Sequence, residues 1–142
     1  MEIIKRQVDD KPLTVTIEYP EYTESVKGLI KRIESLDISF SVIAEDRQLR
    51  IARSDVYYME IVDRKAFLYT KTDVFRLDSS MQEILDLTID SDLVRISRTC
   101  IMNTSHLTAI RQLKNSHLEA ELDNGEKLIV SRKYLRDIKR RF

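Results

Sequence analysis

Apolar positions along this chain change their spacing twice, and each change marks a different kind of element. LTVTIEY, Leu13 to Tyr19, alternates apolar and polar residues and is rich in β-branched side chains. A period of two lines one face of a strand, so this stretch is expected to be extended, with Pro20 ending it. Thr23 or Glu24 then opens a helix to about Leu36, because Val26, Leu29, Ile30, Ile33 and Leu36 fall on one stripe. Gly28 inside it costs about 1 kcal/mol relative to alanine, so this helix needs packing to persist. From Phe40 the period shortens again. SFSVIA, QLRIA, VYYMEIV, KAFLYTKT and VFRLD are short β-favouring runs separated by polar turns such as AEDR and VDRK.

The second helix is expected over Ser79 to Thr88, with Met81, Ile84, Leu85 and Leu87 on its buried side. Ser80 and Glu83 have capping-box spacing. LVRISRTCIMNTSHLTAI has neither period and is expected to be irregular and half-buried. His117 to Ser131 reads as a hairpin, turning at Asn124-Gly125, where a two-residue turn requires φ > 0 at both positions. Ser131 stands where a cap belongs, ahead of a short basic helix that buries Tyr134, Leu135 and Ile138. The fold class is therefore mostly β, of α+β type. Residues 1–41 form a strand–helix extension and residues 42–142 a compact β domain.

Length and composition narrow this further. The 142 residues fit one ordinary domain, and 42% hydrophobic residues support a core. With Gly 2 and Pro 2, neither a flexible linker nor a glycine-rich nucleotide loop is expected. The lone Cys100 requires no oxidising compartment. The acidic start has no apolar signal region, and no run of 18 apolar residues occurs, so a cytoplasmic, soluble protein is expected. Formal net charge is zero, but its distribution is uneven. Residues 1–45 and 46–94 each net −3, whereas residues 95–142, with 11 basic and 5 acidic side chains, net +6. A basic third can bind a polyanion while the rest limits non-specific attachment.

Catalytic chemistry finds little support. His106 and His117 are the only histidines, and with one cysteine neither HExxH nor paired CxxC spacing exists. Cys100 sits among apolar neighbours as an inert thiol, and His106 reads as a turn or surface residue. No acid–base pair stands out, so no enzyme, metal or cofactor is expected. The cations offer more. Arg95 and Arg98 flank the RISR stretch, and Arg95 also suits an ion pair inside the domain. Arg132, Lys133, Arg136, Lys139, Arg140 and Arg141 cluster about the last helix, where Ser131 and free amides suit phosphate.

VRISRTCIMNTSHLTAIRQL, followed by an alternating strand and NGEKLIVSRKYLRDIKRRF, resembles the LytTR family of bacterial DNA-binding transcription regulators. DVYYMEIVDRKAFLYT and LDSSMQEIL stand in the family's order too, so the resemblance covers roughly residues 42–142. It implies a compact β fold that presents loops, rather than a helix-turn-helix, to successive major grooves. By motif position it implies base contacts from Arg98 and Lys133, and from Arg64 or Lys65 at a third position that falls near VDRKAF, where a register with Ala66 would lose the base reader. Arg95, Ser131, Arg132, Arg136, Lys139 and Lys65 are then the phosphate contacts. The resemblance is to short stand-alone members without a receiver domain, which implies control by a partner such as a small membrane protein. Leu13–Tyr19 and the Val26–Leu36 stripe suit either a homodimer contact or cover for a sheet edge. The competing reading is a protein-interaction module whose basic surface meets an acidic protein or an anionic membrane face.

Overall fold

The structure, a computed structural model, describes residues 1–34, 36 and 38–141. Helix α1 spans Glu24–Glu34 and starts where Thr23 Oγ1 accepts from the Val26 amide at 3.3 Å. Its stripe of Val26, Leu29, Ile30 and Ile33 is only half-buried, so α1 adds little to the core. The expected strand at Leu13–Tyr19 is not formed. Leu13 is 98% exposed, and among the described residues the first strand begins at Ser39. Alternation prepares a strand, but an extended segment is stable only against a partner, and among the described residues no strand pairs with this one.

Among the described residues, ten strands form three antiparallel sheets. β1 (Ser39–Ala44) pairs with β2 (Arg47–Ala52). The central sheet holds, in spatial order, β5 (Val74–Leu77), β4 (Lys65–Tyr69), β3 (Tyr58–Val62), β7 (Cys100–Asn103) and β6 (Leu93–Arg95). The third sheet is β10 (Lys127–Val130), β9 (Leu118–Leu122) and β8 (Leu107–Gln112). Helix α2 (Met81–Leu87) starts with the expected capping box, Ser80 and Glu83 each bonding the other's backbone amide. It buries Ile84 and packs Met81 and Leu85, whereas Leu87, expected on the same side, is 49% exposed.

Both faces of the central sheet are covered, which gives two cores. Phe40, Val42, Met59, Leu68, Ile84 and Ile101 pack on one side, against β1, β2 and α2. Val94, Ile96, Met102, Leu118, Val130 and Ile138 pack on the other, against the third sheet and α3 (Leu135–Arg141). Each such side chain contributes about 1.5–3 kcal/mol when fully buried. This arrangement corrects the irregular reading of residues 93–110, which form β6, β7 and part of β8. β7 shows why. Cys100 and Met102 face one core and Ile101 the other, so a strand buried on both sides loses the polar positions that reveal alternation. Asn103, fully buried, donates to the carbonyls of Arg53 and Val56 at 3.1 and 2.7 Å. Its Oδ1 accepts from Ser105, so burial leaves it no unmet bond.

The β9–β10 hairpin forms as expected, but its turn is longer. Leu122 donates to the Glu126 carbonyl and accepts from the Gly125 amide, both at 2.9 Å, leaving Asp123, Asn124 and Gly125 in the loop. Only Gly125 takes a positive φ (87°), so Asn124 does not have the left-handed backbone a two-residue turn would demand. Ser131 also differs from expectation. It precedes a short 3-10 turn over Arg132–Tyr134 and makes no side-chain cap.

Candidate nucleic-acid interface

Three loops lie side by side at one end of the β domain because the strands that carry them are bonded together. The first is the β3–β4 turn, in which Val62 pairs with Lys65 and leaves Asp63 and Arg64 at the tip. Both take positive φ, 50° and 64°, as a two-residue turn with right-handed strand twist requires. Lys65 opens β4 with its side chain exposed. Ala66, the register in which the loop would have no base reader, is 2% exposed in the first core.

The second loop joins β6 to β7 and contains Ser97, Arg98 and Thr99. Arg98 is exposed at its tip. Ile61 donates its amide to the Thr99 carbonyl at 2.8 Å, which fixes this loop beside the first. The third segment is Ser131–Tyr134, and the Ser131 amide donates to the Ile96 carbonyl at 2.8 Å, fixing it on the other side. That amide and the Tyr134 amide, which donates to Ser131 O, are therefore not among the free donors expected there. Arg64 and Lys65, Arg98 and Lys133 are thus brought to one end of the molecule.

Helix α3 continues from the third segment. Ile138 is fully buried and Tyr134 and Leu135 pack on the second core, as their spacing predicts. Arg132, Lys133, Arg136 and Lys139 are exposed on the remaining face. Arg140 lies 2.7 Å from Asp137, an exposed pair of the kind that contributes at most about 1 kcal/mol. Arg95 makes contacts that no sequence pattern indicates. Its Nε donates to the Ser97 carbonyl at 3.0 Å and its Nη2 to the Arg98 carbonyl at 2.7 Å. The same guanidinium lies 5.9 Å from the centre of the Tyr134 ring, and Lys133 Nζ lies 5.7 Å from it.

The residues weighed for catalysis lie elsewhere. Cys100 is buried, and desolvation, with the nearby Glu60 charge, pushes its thiol up to about 12, so it stays protonated. His106 is not a free surface histidine. Its ring stacks on Tyr57 at 3.9 Å, and its nitrogens meet the Ser54 carbonyl at 2.7 Å and Asp123 Oδ2 at 3.0 Å. Tyr57 donates its hydroxyl to Asp123 Oδ1 at 2.5 Å. That bond, then burial, pushes the Tyr57 phenol up to about 12, while the same bond and His106 hold the Asp123 carboxyl below its usual range. The trio ties the β9–β10 turn to the segment before β3. No cluster of metal-ligating side chains occurs among the described residues, and no helix there is long and apolar enough to cross a membrane.

Comparison with known proteins identifies the family and the fold. Residues 46–142 match the family described as the LytTr DNA-binding domain. A solved LytTr DNA-binding domain from Bacillus cereus superposes with a TM-score of 0.66 at 26% identity, covering 72% of this chain and 94% of that one. An uncharacterized HTH-type transcriptional regulator of Staphylococcus aureus (strain NCTC 8325 / PS 47) is 24% identical over 129 residues, 89% of this chain and 87% of its own length. The sensory transduction protein LytT of Enterococcus faecalis is 25% identical over 95 residues. That match takes in 67% of this chain but only 39% of the LytT protein. The helices here are separated by strands, so the described residues contain no helix-turn-helix despite the staphylococcal protein's name. With the family model covering all but β1 and the preceding extension, the chain belongs to the LytTR family of DNA-binding domains that act in transcription regulation.

Proposed function

We propose that this chain binds double-stranded DNA sequence-specifically, with its three adjacent loops and basic C-terminal segment set into the major groove. The observation that carries the reading is the hydrogen-bonded sequence of loops, each with an exposed cation at its tip. Arg98 donates in a bidentate way to guanine O6 and N7, and Lys133 reaches the same acceptors as a point donor. Arg64 and Lys65 serve the base edges beside the first turn. Ser131, Arg132, Arg136 and Lys139 meet phosphates and set the register, which carries no sequence information itself.

The two roles respond differently to mutation. Arg98→Ala lowers discrimination at particular base pairs, by about 1–3 kcal/mol for a lost bidentate contact. Arg136→Ala weakens binding to every duplex and flattens its salt dependence by roughly one unit of slope. Titration of matched and scrambled duplexes at several salt concentrations separates them, and binding unchanged by both substitutions sinks the assignment. The same reading extends to a homodimer on paired half-sites, with residues 1–41 as the extension. Its support is the exposed apolar side chains of Leu13 and Val15, which pack on none of the cores among the described residues. Sedimentation of the chain with and without Val15→Glu tests it.

A further inference from the structure

A base reader must be held to within about 0.5 Å of its working position, and a reader on a loop gets that accuracy from whatever braces the loop. Backbone bonds hold the ends of the β6–β7 loop, where Ile96 donates to the Cys100 carbonyl at 2.9 Å and Thr99 accepts from Ile61 at 2.8 Å, but the bonds nearer Arg98 are long. The Ser97 amide reaches the Cys100 carbonyl at a long 3.4 Å, and the Thr99 amide reaches Ser97 Oγ at 3.3 Å. At the tip itself the firm bonds come from Arg95, whose fork spans the carbonyls of Ser97 and of Arg98. Two donors on one rigid plane fix both the position and the tilt of those peptides. The half-buried guanidinium in turn lies over Tyr134, a ring packed on the second core and flanked also by Lys133.

We infer that Arg95 is a positioning residue for Arg98, not a DNA contact, and that the Tyr134 ring under its guanidinium ties the Arg98 loop to the segment carrying Lys133. The inference rests on the proposed base contact by Arg98. Lysine at position 95 keeps the charge but lacks the rigid planar fork that fixes the tilt of both peptides, so Arg95→Lys separates positioning from phosphate binding. Tyr134→Leu keeps an apolar side chain on the core and removes the ring.

The test measures affinity for a duplex enriched by the wild-type chain from a random pool, and for its scrambled counterpart, across a salt series. Urea melts confirm folding. Arg95→Lys is expected to weaken binding to the enriched duplex at least ten-fold, leave the scrambled duplex and the salt slope unchanged, and relax preference at the base pair that Arg98→Ala also relaxes. Tyr134→Leu is expected to show a weaker form of the same pattern. In an Arg98→Ala background, Arg95→Lys is expected to change nothing further. Should Arg95→Lys bind as the wild type does, or Arg95→Met weaken both duplexes equally and lower the salt slope by about one, Arg95 is a phosphate contact and the inference fails. Should Arg98→Ala leave discrimination intact, the base-contact reading fails first and takes this inference with it.

Discussion

Replacing Arg64 by glycine is expected to raise stability and lower DNA affinity. Arg64 sits in the β3–β4 turn at φ 64°, beside Asp63 at φ 50°. A left-handed backbone crowds Cβ against the following carbonyl and costs roughly 1–2 kcal/mol for an L-residue. Asp63 is a residue type that tolerates this conformation, and Asp-Gly is among the favoured pairs for such a turn. Arginine has neither advantage. Glycine removes the crowding but gives the unfolded chain more freedom, which returns about 0.4–1 kcal/mol. The net gain for Arg64→Gly is therefore about 0.5–1 kcal/mol. Urea unfolding reads it as a higher midpoint at unchanged slope. Binding to an enriched duplex is read alongside, and loses one donor. The loss appears as about one unit of salt slope if Arg64 meets a phosphate, or as relaxed preference at one base pair if it meets a base. A less stable variant refutes the turn argument. A more stable variant that binds DNA as the wild type does removes Arg64 from the interface and leaves Lys65 as the donor of that loop.

The packing and the polar trio carry three further outcomes. Ile138→Ala opens a cavity at a fully buried site and is expected to cost about 2–5 kcal/mol, with faster amide exchange across α3 and weaker DNA binding; loss of under 1 kcal/mol would mean that α3 is not held through this residue. Asp123 has a depressed folded pKa, so its contribution to stability is present above the ordinary value of 3.8 and is lost as pH falls through the lower folded value. Asp123→Asn should remove that part of the acid dependence in melts between pH 2 and 6, and an unchanged acid limb contradicts the assignment. Tyr57, raised to about 12, acts with the opposite sign: its contribution is present below pH 10 and fades as pH rises to about 12.

Much of the β domain was legible because its first five strands have partners and alternate. SFSVIA and QLRIA fall on β1 and β2, and the polar turns AEDR and VDRK fall where Asp46 and Arg64 take left-handed backbone. The capping box at Ser80 was legible because it is local. Burial on both faces hid β7, and the absence of a partner edge made a false strand of Leu13–Tyr19. At the interface, exposed cations could be read position by position, and the family resemblance ordered them. That Arg95 turns back on the carbonyls of its own loop depends on a side-chain direction that no periodicity encodes, and that it meets the Tyr134 ring joins residues far apart in sequence.

The central claim is that the loops read sequence rather than merely hold a polyanion. Selection from a pool of random duplex DNA, run at low and at physiological salt with the wild-type chain and with Arg98→Ala, tests it most directly. The account predicts that the wild-type chain enriches a defined motif that persists at the higher salt, and that Arg98→Ala enriches the same motif with one base position relaxed. A pool in which the wild-type chain enriches no sequence at either salt contradicts it.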